Sequence, residues 1–134
     1  MGFETLGEII DFAIEREKEA VQFYEDAAQE ESMSGSIEML KELAEEEHRH
    51  VRMLTELKSK GVVKSLDRYK LKWIPDMKRS NYVADVVFEK GMAYNDILRI
   101  AIKREEKALA LYNELLEKTE DGEAQKLFKV LCQE

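Results

Sequence analysis

The sequence predicts an all-α fold: a four-helix bundle made of two helical hairpins that are joined by a long crossover. Charged residues make up 37% of the 134 residues, with only six glycines and one proline, and this balance favours long, solvent-facing helices. Apolar side chains recur every three or four residues in several segments, which indicates helices with one buried face. The length suits one hydrophobic core, so we predict a single domain over residues 1–134.

The first hairpin is predicted from two long segments. A helix over residues 5–31 begins at Thr5 and Glu8, which have the spacing of a capping box. We expect Thr5 to cap the helix and the Glu8 carboxylate to accept a hydrogen bond from the Thr5 amide. After a break rich in serine and glycine, a second helix is predicted over 36–60, where Gly61 is a typical C-terminal cap.

The second hairpin follows a long connection. Residues 61–92 contain the only proline and show no sustained apolar period, so we predict a crossover with room for short helical turns. A third helix is predicted over 93–119. Asp121 and Gly122 then break the chain before a fourth helix over 123–134.

An internal repeat relates the two hairpins. A shift of 88 residues aligns positions 5–46 with 93–134 without a gap. Ten pairs are identical: Ile9/Ile97, Ala13/Ala101, Ile14/Ile102, Arg16/Arg104, Glu17/Glu105, Ala20/Ala108, Tyr24/Tyr112, Lys41/Lys129, Leu43/Leu131 and Glu46/Glu134. Two such hairpins with one long link match the ferritin-like connectivity. The alternative is a generic amphipathic pattern, but packing alone does not require the shared Glu-x-x-Ala-x-x-x-Tyr.

Acidic residues interrupt the apolar stripes at mid-helix. Glu17, Glu47 and Glu105 lie where the spacing predicts core, and an ionised carboxylate there costs several kcal/mol unless it is paired, hydrogen-bonded or bound to a metal. His50 follows Glu47 by one turn, so both can hold the same ion or adjacent ions. Carboxylate with imidazole suits iron, with manganese or zinc possible, although the lack of thiolates argues against structural zinc.

The predicted ligand set is incomplete in the sequence given. A di-iron bundle takes one glutamate from each of two helices, as Glu17 and Glu105 supply, and a Glu-x-x-His from each of the others, as Glu47 and His50 supply. By the repeat, a second Glu-x-x-His falls at positions 135 and 138, and we expect it in a continuation of the chain. The alternatives are weak ligation by Glu134 or ligands from a partner chain.

Two tyrosines and a second histidine complete the candidates. Tyr24 and Tyr112 lie two turns after Glu17 and Glu105, near enough for a phenol to bond to a ligand carboxylate or a bound water, and core packing explains them equally well. His48 also follows a glutamate by three residues, but it lies on a polar face, which predicts exposure to solvent.

Several classes of function are excluded or disfavoured. The net charge of −8 has the wrong sign for a general nucleic-acid binder. No apolar run approaches the ~18 residues of a membrane span, and the N-terminus has no basic region before an apolar one, so we expect no membrane contact and a cytoplasmic protein. Cys132 is the only cysteine, which suits a reducing compartment. Apolar surface beside a short fourth helix makes a homodimer plausible.

These motifs resemble the rubrerythrin-like branch of the ferritin-like di-iron carboxylate proteins. The resemblance is carried by residues 13–20 with Tyr24, by 43–47 with His50, and by 101–105 with Ala108 and Tyr112. It implies a di-iron site at which dioxygen or hydrogen peroxide is reduced while Fe(II) is oxidised. It also implies that Glu17 and Glu105 are terminal ligands, Glu47 a bridging ligand and His50 an imidazole ligand.

Two departures from the family pattern change what is expected. The sequence has no rubredoxin-like iron domain, so electrons have to come from a separate donor, such as a rubredoxin-like protein. The family also carries an extra glutamate at the position of Ala108, which weakens the expectation of full peroxidase chemistry. We therefore predict a di-iron oxidoreductase that reduces peroxide or dioxygen. The alternatives are a ferroxidase or iron-handling protein without peroxide turnover, and a metal-free helical scaffold.

Overall fold

The computed structural model describes residues 3–30, 34–59, 74, 77–84, 88–120 and 122–133. These residues form four α-helices and one short 3-10 helix and contain no β-strand. The α-helices are α1 (Leu6–Glu30), α2 (Ser34–Ser59), α3 (Tyr94–Lys118) and α4 (Gly122–Gln133), and the 3-10 helix is Arg79–Tyr82. The prediction of an all-α, ferritin-like bundle is confirmed. Within these ranges, no helix combines the length and the apolar character that crossing a membrane requires.

The start of α1 shows a capping box shifted by one residue. Thr5 caps the helix as predicted, because its Oγ1 accepts a hydrogen bond from the Glu8 amide at 3.1 Å. The Glu8 carboxylate, however, accepts its bond from the amide of Glu4 at 2.9 Å and not from that of Thr5. The side chain therefore reaches one residue further back than the motif predicts.

The turn between α3 and α4 is held by backbone acceptors. Thr119 is the C-terminal cap of α3, and its amide donates to the carbonyl of Leu115 at 2.9 Å. The side-chain amide of Gln125 in turn donates to the carbonyl of Thr119 at 2.6 Å. Asp121 and Glu134, which the sequence predictions single out, lie outside the described residues, as does most of the predicted crossover, including Gly61.

Each hairpin is formed by contacts between its own two helices, and further contacts attach the 3-10 helix and the N-terminus. Helices α1 and α2 contact each other along their length, and an ion pair between Lys58 and Asp11 joins their outer faces. Helices α3 and α4 form the second hairpin, and the 3-10 helix packs on α3, where Tyr82 is buried. Phe3 anchors the N-terminus between the ring of Phe12 and the guanidinium of Arg79, which lies 4.5 Å from the Phe3 ring centroid.

A polar belt divides the hydrophobic core into two parts. One part lies toward the start of α1 and includes Leu6, Ile10, Leu54 and Leu115, and the other lies toward its end and includes residues such as Tyr24. Between them, the side chains of four polar residues are buried: Glu17 of α1, Glu47 and His50 of α2, and Arg104 of α3. The fold thus places four ionisable groups at the same height, with apolar packing above and below.

Candidate metal centre

Helices α1 and α2 bring three potential metal ligands together. Glu17 lies between Ala13 and Ala20 on the buried stripe of α1, and Glu47 and His50 lie one turn apart on the buried face of α2. Each of the three residues offers one ligand atom, and these atoms lie within 4.8 Å of one another. Nδ1 of His50 is 3.4 Å from Oε2 of Glu17 and 3.3 Å from Oε2 of Glu47.

Helix α3 contributes an arginine to this cluster. Arg104 is only 5% exposed, and its Nη2 lies 2.5 Å from Oε2 of Glu17 while its Nη1 lies 3.0 Å from Oε1 of Glu47. The guanidinium therefore forms ion pairs with both buried carboxylates. Sequence reasoning missed this residue, although the identity of Arg16 and Arg104 in the repeat was a visible signal.

Glu105 lies outside the cluster. Its side chain is 45% exposed, and its Oε1 accepts a hydrogen bond from Nη1 of Arg104 at 2.8 Å. Ile102 and Leu109, on the same side of α3, are 60% and 43% exposed. Because that side of the helix is open within the described structure, the deepest position at this height belongs to Arg104. The sequence predicted that Glu105 itself faces inward.

The two tyrosines have different environments. The hydroxyl of Tyr112 donates a hydrogen bond to Oε1 of Glu17 at 2.5 Å, and so orients this carboxylate from the side of α3. The Tyr24 hydroxyl is equally buried but has no hydrogen-bond partner among the described residues. Burial raises the pKa of both phenols, which therefore stay protonated at neutral pH.

The carboxylates and the histidine shift one another's protonation. Burial opposes a charge on Glu17, but its interactions with His50 and Glu47 and the charge of Arg104 lower its pKa to about 2. Burial raises the pKa of Glu47 to about 9. Burial lowers the pKa of His50, but Glu17 and Glu47 overcome this and raise it to about 10. The cluster without metal thus holds protons on Glu47 and His50 at neutral pH.

A cavity of about 600 Å³ connects this cluster with the surface. Glu17, His50 and Arg104 reach its wall, and Glu105 lies along it. Most of the remaining wall is apolar, and it includes Leu98. A small neutral molecule can therefore approach the buried carboxylates through a largely apolar passage.

The donor set fits a divalent cation. Among the described residues, Glu17, Glu47 and His50 are the one group of three or more potential ligands found close together. Oxygen and imidazole donors suit iron and manganese. In addition, Oε2 of Glu47 is buried beside Nδ1 of His50 at 3.3 Å, and a buried carboxylate oxygen is costly unless a cation, a proton or a hydrogen-bond donor satisfies it. His48 is exposed, as its polar face predicted.

Two helical hairpins around a buried carboxylate–histidine cluster define a ferritin-like bundle with a candidate metal centre. Residues 3–58 match the family model described as Rubrerythrin, and this segment carries Glu17, Glu47 and His50. The match supports a rubrerythrin-like family of the ferritin-like type, and together with the cluster it suggests a di-iron site. No curated protein and no solved structure matches the chain.

Proposed function

We propose that this chain is an iron-binding oxidoreductase that oxidises Fe(II) at the buried cluster and reduces hydrogen peroxide or dioxygen. The observation that carries the proposal is the convergence of Glu17, Glu47 and His50, whose ligand atoms lie within 4.8 Å of one another between the two parts of the apolar core. The family match covers the same three residues and supports the same chemistry.

Each residue of the cluster has a separate task in this proposal. Glu17 and Glu47 supply negative charge and oxygen ligands, and His50 supplies a nitrogen ligand. Tyr112 holds Oε1 of Glu17, so that Oε2 faces His50. Iron held by these residues would supply the electrons for the reaction. Reduction of one hydrogen peroxide to two waters takes two electrons and two protons, so two Fe(II) ions would supply both electrons.

The surroundings of the cluster suit a small oxidant. The largely apolar cavity admits hydrogen peroxide or dioxygen, and the apolar packing above and below the cluster restricts access by bulk water. We propose a separate, rubredoxin-like protein as the electron donor that returns the iron to Fe(II).

Anaerobic titration with Fe(II) followed by oxidation tests the proposal. We expect the purified protein to bind Fe(II) and, on mixing with peroxide or air, to develop the near-ultraviolet absorbance of protein-bound Fe(III). The ratio of the two oxidation rates separates a peroxide reductase from a ferroxidase. The variant Glu47→Gln should lose this signal, and its matched control Glu45→Gln, on the exposed face of the same helix, should keep it. Wild-type protein that binds no iron would contradict the proposal.

A second candidate is a helical scaffold that works without metal. The ion pairs of Arg104 with Glu17 and Glu47 favour it, because a guanidinium compensates these carboxylates without any ion. Elemental analysis of protein purified without added metal separates the two candidates. Glu47→Ala should abolish metal binding by an oxidoreductase, whereas in a scaffold the change should leave function intact and can raise stability.

A further inference from the structure

Arg104 holds a place at the cluster that a bound cation also needs. Its guanidinium contacts Oε2 of Glu17 and Oε1 of Glu47, at 2.5 and 3.0 Å. Oε2 of Glu17 is also one of the oxygens that face His50. A divalent ion bound between Glu17 and His50 would share this oxygen with the guanidinium, and two cations so close together repel each other strongly in a buried site.

The neighbourhood of Arg104 offers a second position for its side chain. Arg104 and Glu105 both line the cavity of about 600 Å³, so open space lies beside the guanidinium. Nη1 of Arg104 already lies 2.8 Å from Oε1 of Glu105. Consecutive residues of a helix point about 100° apart. A rotation of α3 about its own axis that moves Arg104 out of the belt can therefore move Glu105 toward it.

We propose that Arg104 is the internal counter-cation of the cluster and sets its affinity for metal, because the guanidinium and a metal ion compete for Glu17 and Glu47. This inference rests on the proposed function. When a divalent ion binds, the guanidinium leaves the two carboxylates for the cavity, and Glu105 turns toward the ion. Arg104 is thus a specificity-determining residue: only ions that bind the carboxylates more strongly than the guanidinium does can enter.

Titration with Co(II) tests this competition directly, because the visible absorption of Co(II) reports its ligands without any turnover. We expect Arg104→Gln to bind Co(II) at least about tenfold more tightly than the wild type, since the competing charge is gone. Arg104→Lys keeps a positive charge, so its affinity should lie closer to that of the wild type. Arg99→Gln removes one exposed arginine from the same helix and should leave the affinity unchanged.

Each outcome of this experiment has a distinct meaning. Equal or weaker Co(II) binding by Arg104→Gln, with a helical circular dichroism spectrum like that of the wild type, overturns the proposal. Binding by Arg104→Lys that is as tight as that of Arg104→Gln also overturns it, because charge is then not what competes. If the wild type fails to bind Co(II) and Arg104→Gln binds it, the competition is supported and the proposed function of the wild type is wrong. If neither binds Co(II), both ideas are wrong.

Thermal unfolding without metal gives an independent readout. Arg104→Gln removes the guanidinium that pairs with the buried side chains of Glu17 and Glu47, so this variant should unfold at a lower temperature than the wild type in the presence of a chelator. Saturating Co(II) should then raise its melting temperature by more than it raises that of the wild type. An identical Co(II)-induced increase in the two proteins would contradict competition.

Discussion

Three pairs of identical residues occupy equivalent places in the two hairpins and differ in their burial or their hydrogen bonds. Glu17 is buried in the cluster, whereas the side chain of its repeat partner Glu105 is 45% exposed. Arg104 is buried against Glu17 and Glu47, whereas Arg16 is partly exposed and pairs with Glu19 on the surface at 2.6 Å. Tyr112 donates a hydrogen bond to Glu17, and Tyr24 has no partner among the described residues.

The neighbouring elements cover a broader side of α1 than of α3, and this explains why the repeat partners differ in burial. Helix α1 buries a broad stripe, so that a residue such as Ile14 lies inside the core. Its repeat partner on α3, Ile102, is 60% exposed. The buried side of α3 is therefore narrower and is centred nearer to Arg104 than to Glu105. The elements that pack against α3 therefore decide which of the adjacent residues Arg104 and Glu105 is buried in the cluster.

The two arginines should differ most in stability. Without metal, Arg104→Ala should lower the free energy of unfolding by about 3–5 kcal/mol, because it removes the guanidinium that pairs with the buried side chains of Glu17 and Glu47. Arg16→Ala removes a surface pair, and its effect should stay below about 1 kcal/mol. Urea unfolding in the presence of a chelator measures both. Similar losses in the two variants would show that the repeat partners are equivalent after all.

Raising the pH should destabilise the metal-free protein, because Glu47 and His50 of α2 lose their protons. The pKa of Glu47 is raised to about 9 and that of His50 to about 10, so the folded state binds protons more tightly than the unfolded chain does. The stability that the Glu47 proton contributes is lost as the pH rises from about 4.5 to 9, and the stability that the His50 proton contributes is lost as the pH rises from about 6.5 to 10. We expect the melting temperature in a chelator to fall steadily over this range.

The matched variants for the pH experiment are Glu47→Gln and Glu105→Gln. Glu47→Gln removes one of the two groups, Glu47 and His50, whose protons are lost at alkaline pH. The fall in melting temperature at alkaline pH should therefore become shallower. Glu105→Gln changes a half-exposed residue outside the cluster and should leave the slope as it is. A wild-type melting temperature that stays flat from pH 7 to 10 would show that the cluster does not hold these protons.

The two glutamates should differ in metal affinity. Glu17→Gln removes a ligand oxygen together with its charge and should weaken Co(II) binding by at least about tenfold. Glu105→Gln should have a smaller effect, because Glu105 reaches the cluster only after Arg104 has moved. Competition with a coloured chelator measures both dissociation constants. Equal losses would place Glu105 among the ligands of the resting site.

Much of this arrangement was predictable from the sequence. The spacing of apolar residues predicted four helices, and the same stripes predicted that Glu17, Glu47 and His50 lie inside, where the structure places them. The choice between Arg104 and Glu105 was not predictable in this way. The apolar spacing placed Glu105 on the buried stripe, whereas the structure buries Arg104 and leaves the Glu105 side chain 45% exposed. Which of the two adjacent residues faces inward depends on which neighbouring helix covers that side of α3, and this is a tertiary property.

The start of α1 shows the same limit on a smaller scale. The sequence predicted the cap by Thr5, because a threonine three residues before Glu8 can accept a hydrogen bond from the Glu8 amide through its hydroxyl oxygen. It did not predict that the Glu8 carboxylate selects the amide of Glu4. Thr5 and Glu4 are both within reach of the Glu8 side chain, so the local backbone conformation decides between them.

The smallest expected difference between the two hairpins is the effect of removing a tyrosine hydroxyl on the free energy of unfolding. Tyr112→Phe removes the hydroxyl that donates to Glu17 and should lower the free energy of unfolding by about 1–2 kcal/mol, since the acceptor is a buried carboxylate. Tyr24→Phe removes a buried hydroxyl that has no partner among the described residues, so it should leave stability unchanged or raise it slightly. The two changes delete the same atom from equivalent positions, and their apolar packing terms therefore cancel in the comparison. If Tyr24→Phe proves as costly as Tyr112→Phe in the metal-free protein, the hydroxyl of Tyr24 has a partner, and the asymmetry between the two hairpins is smaller than the geometry indicates.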